Sequence, residues 1–144
     1  MTRKDWTLLA IAAANGEPVS PVQLQKLLFL LGANLSPQQL GTGVFYHFTP
    51  YDYGPFDSAV YLDAEALERE GFVRIETPPG SYREYTATPA GLSRAATLKG
   101  QLDPAVSAYL EQTAAWVRSL SFNDLLRAVY RAYPAMKVHS VFQE

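Results

Sequence analysis

Apolar residues recur at helical spacing along most of this chain, and small polar residues mark where each run begins. Trp6, Leu9, Ala10 and Ala13 lie three or four apart behind Thr2 and Asp5, a pair with capping-box spacing, which predicts a first helix ending at Gly16. Ser20, Pro21 and Gln23 open a second run, Val22 to Leu31, with Gly32 as its expected stop. Leu24, Leu27, Leu28 and Leu31 form its core stripe, and Phe29 and Leu30 carry apolar surface around the cylinder, so this helix is expected to be buried on most sides. Residues 32 to 43 read as turn-rich. Val44 to Thr49, rich in aromatic and β-branched residues, predicts a strand, followed by a tight aromatic loop from Pro50 to Phe56. A helix is expected from Asp57 to Glu70, with Val60, Ala64 and Leu67 on one face and Gly71 closing it.

The period then changes from helical to alternating. Phe72 to Thr77 and Tyr82 to Thr86 flank Pro78-Pro79-Gly80-Ser81, a hairpin signal. Three further helices are predicted: from Thr88-Pro89 through Leu98, from Asp103-Pro104 with Val106, Tyr109, Leu110, Thr113 and Val117 on one face, and from Phe122 to Tyr133, capped by Ser121 with Asp124 and stopped by Pro134. The order predicts a mainly α (α+β) fold. Its expected form is a winged helix-turn-helix with a β-hairpin wing, an inserted aromatic strand and extra C-terminal helices. One domain is expected over residues 1–144, with a winged-helix core at 1–87 and a helical extension at 88–144. Gly71 stands where the reading helix would step into the wing.

Charge changes what such a fold would do. The chain has 144 residues with 12 basic and 14 acidic side chains, a net charge of -2. Domains held on nucleic acid by bulk charge usually carry a basic excess, so this balance argues against that class. From Asp52 to Glu70 six acids (Asp52, Asp57, Asp63, Glu65, Glu68, Glu70) face only Arg69. A helical wheel set by Val60, Ala64 and Leu67 puts Ser58, Tyr61, Leu62, Glu65 and Arg69 outward, a surface that would repel phosphates and that reads as a protein-contact face. About 25 residues separate Leu31 from Asp57, far more than the three or four that join the two helices of a DNA-reading unit. Against this, Arg74, Arg83, Arg94 and Lys99 lie on or just after the hairpin and are the candidate DNA contacts, with cross-strand pairing to Glu76 and Glu84 as the competing reading.

The chain has no cysteine, which removes disulfides and thiolate chemistry. No cofactor or metal is expected: His47 has no second ligand at metal spacing, and His139 lies far off in the tail. No nucleophile elbow, dinucleotide loop or Walker loop is present, and Asp52 and Asp57 fit helix capping better than a catalytic carboxylate pair. No catalytic residues are assigned. Without an apolar leader or a run longer than Leu27 to Leu31, no membrane association is expected and the cytoplasm is the default location. The densest aromatic cluster is Tyr46, His47, Phe48, Tyr51, Tyr53 and Phe56; Tyr46 and Phe48 are expected in the core, and Tyr51, Asp52 and Tyr53 nearer the surface. The apolar tail from Ala135 to Glu144 is expected to dock on its own domain or on a partner, and the C-terminal helices could pair two copies as a homodimer.

Four segments resemble the Panacea group of bacterial and phage proteins (SocA-like, especially its YwgA-like branch). They are Leu24 to Leu31 (LQKLLFLL), Pro50 to Phe56 (PYDYGPF), Tyr85 to Gly91 (YTATPAG) and Leu125 to Pro134 with its VYRAYP ending, and they span most of the chain in order. Asp57 stands where that group usually has Ser. The resemblance implies a winged-helix fold and a non-enzymatic adaptor or antitoxin-like role. The expected function is therefore a protein-interaction module that binds and neutralises or adapts a partner protein, with a toxin as one candidate partner. Its expected contact residues are Tyr51, Asp52, Tyr53, Phe56, Tyr61, Leu62 and Glu65. The alternative is a transcription regulator that touches DNA through its wing.

Overall fold

The computed structural model describes residues 1–142. Along them run α1 (Arg3–Ala12), α2 (Pro21–Asn34), the single-turn α3 (Pro37–Leu40), a hairpin of β1 (Thr49–Tyr51) and β2 (Gly54–Phe56), and α4 (Ala59–Arg69). A second hairpin follows, β3 (Val73–Glu76) and β4 (Glu84–Ala87), then α5 (Pro89–Lys99), α6 (Pro104–Ser119), α7 (Phe122–Ala132) and a 3-10 turn, Pro134–Lys137. The fold is mainly helical, with two separate antiparallel two-stranded sheets among the described residues.

The helix starts fall where the caps require. The Thr2 hydroxyl accepts from the Asp5 N–H at 3.1 Å while the Asp5 carboxylate accepts from the Thr2 N–H at 2.9 Å, and Ser20 with Gln23 repeats the exchange on α2. Thr88, Asp103 and Ser121 cap α5, α6 and α7. Each such cap contributes roughly 1 kcal/mol by satisfying a first-turn N–H that has no partner within the helix.

Three expectations need correction. α2 does not stop at Gly32 but runs on to Asn34; a Cβ at position 32 would lie 2.8 Å from the Phe45 ring, so the glycine serves close packing and ends nothing. The turn-rich stretch holds α3, which has its own Ser36/Gln39 capping box and is closed by Gly41 at φ +68°. Val44 to Phe48 is not a strand. It is held by side-chain contacts instead of a ladder, and pairing begins at Thr49, where the expected loop is a hairpin with Thr49 opposite Phe56 and Tyr51 opposite Gly54.

One apolar core runs through the molecule. α1 and α2 supply most of it, with Trp6, Leu8, Leu9, Ile11, Leu24, Leu28 and Leu31 essentially inaccessible. Burying a leucine or isoleucine of this kind stabilises by roughly 1.5–3 kcal/mol relative to exposure. The Trp6 indole N–H, which must be satisfied when buried, donates to the Leu40 carbonyl at 2.7 Å. α1 packs against α2, α4 and α5, and α2 lies between α6 and β2.

The second hairpin is bound to this core through backbone. Val19, between α1 and α2, exchanges both hydrogen bonds with Tyr85 (2.8 and 2.9 Å) and so lies antiparallel beside β4. On the other side α5 crosses so close to Phe72 that a Cβ at Gly91 would fall 1.9 Å from the Phe72 carbonyl oxygen. No helix among the described residues is long and apolar enough to cross a membrane.

Candidate functional site: an aromatic groove beside the first hairpin

The two-residue turn Asp52–Tyr53 and the left-handed Gly54 (φ +95°) fold β2 back along α2. This leaves the first turn of α2, the hairpin, Tyr61 of α4, Tyr82 and the start of α7 around a groove of about 650 Å³. The volume falls within the range of roughly 300–1,000 Å³ usual for binding sites. Its walls are mostly apolar: Val22, Phe56, Tyr61, Leu120, Phe122 and Leu125, with Tyr51, Tyr53 and Tyr82 exposed at its rim. Tyr53 meets the Phe122 ring edge-on at 5.4 Å between centroids. Tyr51 stacks on Phe56 at 5.0 Å, Phe56 meets Tyr61 at 5.7 Å, and Tyr61 lies parallel to Tyr85 at 6.1 Å. A continuous run of rings therefore leads from the exposed Tyr51 to the fully buried Tyr85.

Polar groups in this region come from one turn of α2. Gln25, 1 % exposed, clamps the start of α4 with both ends of its amide, donating to the Asp57 carbonyl at 2.9 Å and accepting from the Asp57 N–H at 3.0 Å. Lys26, 3 % exposed, donates to the Pro55 carbonyl at 3.2 Å, and its ammonium lies under Gly54. Burial disfavours the charged form and pulls the Lys26 pKa down from 10.5 to about 7. Burial likewise raises the Tyr61 and Tyr85 phenols, the latter to about 12. Comparison with family models, curated proteins and solved structures finds no match to this chain.

The acidic surface expected on α4 is largely spent inside the fold. Asp63 accepts from the Tyr46 phenol at 2.5 Å and from Arg3 at 3.1 Å, Glu70 pairs with Lys4, and Glu68 accepts from the Ile75 N–H. The Thr7 hydroxyl completes the buried Tyr46 cluster at 2.5 Å, and burial followed by the hydrogen bond to Asp63 raises the Tyr46 phenol pKa. Asp57 is used twice more: its carboxylate accepts from the His47 N–H (2.8 Å) and from the Ala59 N–H (2.9 Å), so it fastens the extended segment and caps α4.

Of the residues singled out from sequence, Tyr51, Asp52, Tyr53, Phe56 and Tyr61 do converge, all on the groove. Tyr61 does not point outward as the helical wheel predicts; it is half-buried between Phe56 and Tyr85, because the first hairpin covers that side of α4. Leu62 stays exposed away from the groove lining, and Glu65 is half-buried in a pair with Arg83 at 3.2 Å. Arg74 pairs with Glu76 along its own strand, so the expected cross-strand pairing does not form, and Lys99 pairs with Glu111 of α6 at 2.5 Å. Arg94 is exposed on α5. Tyr46 is buried as expected, and Phe48 is half-buried against Phe29.

The tail docks on its own domain as far as it is described. Val141 N–H and the Ser140 hydroxyl both donate to the Asp52 carbonyl, and Phe142 packs on Phe122 and Tyr130. Gln143 and Glu144 lie outside the described residues. Sequence reasoning missed Lys26, Gln25, Tyr82 and Phe122 as groove residues. A signal existed for the first two, since a helix apolar on nearly all sides leaves no solvated face for a glutamine and a lysine in its middle.

Proposed function

We propose that this chain is a winged-helix protein-interaction module without catalysis of its own, acting in the cytoplasm as the antitoxin or regulatory half of a protein pair. The observation that carries the reading is the groove: exposed aromatic side chains around an apolar trough are the composition of an interface centre. The winged-helix element of the reading is supported by α1, the bridging residue Val19 and α2, followed after α3 and the first hairpin by α4 and the second hairpin, with Val19 bridged to β4. In that scheme β3–β4 is the wing and α4 the reading helix. The partner sits on the hairpin side of α2, with Tyr51, Tyr53 and Tyr82 as its anchors.

The test is co-purification with the product of the adjacent open reading frame. Tyr51→Ser with Tyr53→Ser should abolish retention of that product while circular dichroism and melting temperature stay unchanged. Retention equal to wild type overturns the assignment of this surface. The DNA-binding alternative predicts salt-sensitive gel shifts that weaken in Arg74→Ala with Arg83→Ala. Three of its four cations are already matched by carboxylates of the fold, which lowers the positive potential a wing would offer to phosphates.

A further inference from the structure

Beside the groove lies a charge that the fold supplies with little company. The Lys26 ammonium has three donors, and the acceptor it finds among the described residues is one neutral carbonyl, Pro55. None of the ion pairs among the described residues includes it, whereas six cations nearer the surface are paired with carboxylates. The first turn of α2, whose dipole presents its positive end, lines the same groove, so both contributions have one sign. The acid in the lining is Asp52, exposed at the rim. The groove is thus apolar along its walls, positive below and negative at its lip.

We propose that the groove binds the C-terminal end of a partner polypeptide, apolar in its last residues, with the terminal carboxylate on Lys26 and apolar side chains against Tyr53, Phe56, Phe122 and Leu125. This deepens the protein-interaction reading and rests on it. Charge complementarity selects the occupant: a carboxylate beside a buried ammonium forms a charge-assisted hydrogen bond in surroundings where water competes poorly. A chain end brings that charge without a stem, while a passing segment brings only neutral amides. The rim carboxylate of Asp52 sets the direction, since it repels an anion at the lip and leaves Lys26 as its seat. A trough of about 650 Å³ has room for several side chains, more than a small free acid would cover. Burial without a neighbouring carboxylate lowers the Lys26 pKa, so an anion placed beside it would favour the charged form.

The experiment is a titration of the isotope-labelled protein, followed by amide chemical shifts, with N-acetyl-Phe-Leu-Phe as the free acid and as the C-terminal amide. The acid should bind about tenfold more tightly, the ratio set by one charge-assisted hydrogen bond, with shifts confined to α2, the first hairpin and the start of α7. In Lys26→Met the two peptides should bind equally and as weakly as the amide does to wild type. Equal binding of acid and amide to the wild-type protein overturns the carboxylate seat but leaves the groove as a partner site. Binding of 4-phenylbutyrate as tight as that of the tripeptide acid overturns the chain-end assignment in favour of a small acid. No shift with either peptide at millimolar concentration overturns both this inference and the groove reading beneath it.

Discussion

The two hairpins of this protein are nearly the same size, yet they treat charge and aromatic surface in opposite ways. Around β3–β4 both arginines are matched, Arg74 with Glu76 and Arg83 with Glu65, and the Glu68 carboxylate accepts from the Ile75 N–H. Its backbone is fixed on both flanks, by Val19 beside β4 and by the close crossing of α5 at Gly91. Around β1–β2 the aromatic rings are only half covered, and the buried Lys26 meets a single carbonyl among the described residues. Ion pairs and backbone contacts hold the second hairpin in place, the buried Tyr85 hydroxyl excepted, whereas the first hairpin borders a buried charge and exposed rings, the kind of surface on which partners dock. In the reading proposed above, the second hairpin is scaffold and the first is the recognition side.

Substitutions test that contrast. The largest effect is expected at Gly91→Ala, where the added methyl meets backbone that cannot yield; a loss of about 3 kcal/mol or more in urea unfolding should follow, and a loss below 1 kcal/mol would show that the second hairpin is not locked as described. Lys26→Met should do the reverse and stabilise the fold by roughly 1–3 kcal/mol at pH 6. The sign follows from linkage. Lys26 has a folded pKa near 7, below its ordinary 10.5, so the unfolded chain binds more protons between those values and wild-type stability rises with pH across that window. The advantage of the methionine variant should therefore be greatest below pH 7 and fade towards pH 10.5 in melts run across the range. A variant that melts lower than wild type at pH 6 would mean that the ammonium is satisfied after all.

Smaller effects test the scaffold side. Tyr46→Phe removes the acceptor of the buried Thr7 hydroxyl and one donor to Asp63, and should cost about 1–2 kcal/mol. Glu65→Gln, which weakens a half-exposed pair, should cost no more than about 0.5 kcal/mol in the same measurement. Tyr85→Phe should be neutral or slightly stabilising. Its buried hydroxyl has no hydrogen-bond partner among the described residues, so removing it relieves a desolvated group.

How much of this was legible beforehand depended on whether the cause was local. The Thr2/Asp5, Ser20/Gln23 and Ser121/Asp124 spacings named the starts of their helices because a cap is decided within four residues. The second hairpin was legible for the same reason. Val44 to Phe48 was misread as a strand because β-propensity records a fit to a half-buried surface, and here that surface is met by Tyr46 and the Asp57 carboxylate without a neighbouring strand. Gly32 looked like a stop because the Phe45 ring that requires it lies in the next element. The groove was half legible. Its aromatic rim stands in one contiguous stretch, but Lys26 and Phe122 join it only through the packing of α2 and α7 around the hairpin.

The run of rings from Tyr51 through Phe56 and Tyr61 to Tyr85 also makes the site observable from inside the protein. Neither tryptophan belongs to it: Trp6 is enclosed in the core beside Leu40, and Trp116 sits on α6. Tryptophan emission is therefore a poor witness to occupancy of the groove. Ring currents are a better one, because each ring in the row shields the protons of the next. A ligand that tilts Tyr51 would register step by step in the resonances of Phe56, Tyr61 and finally Tyr85, which no ligand in the groove would need to touch.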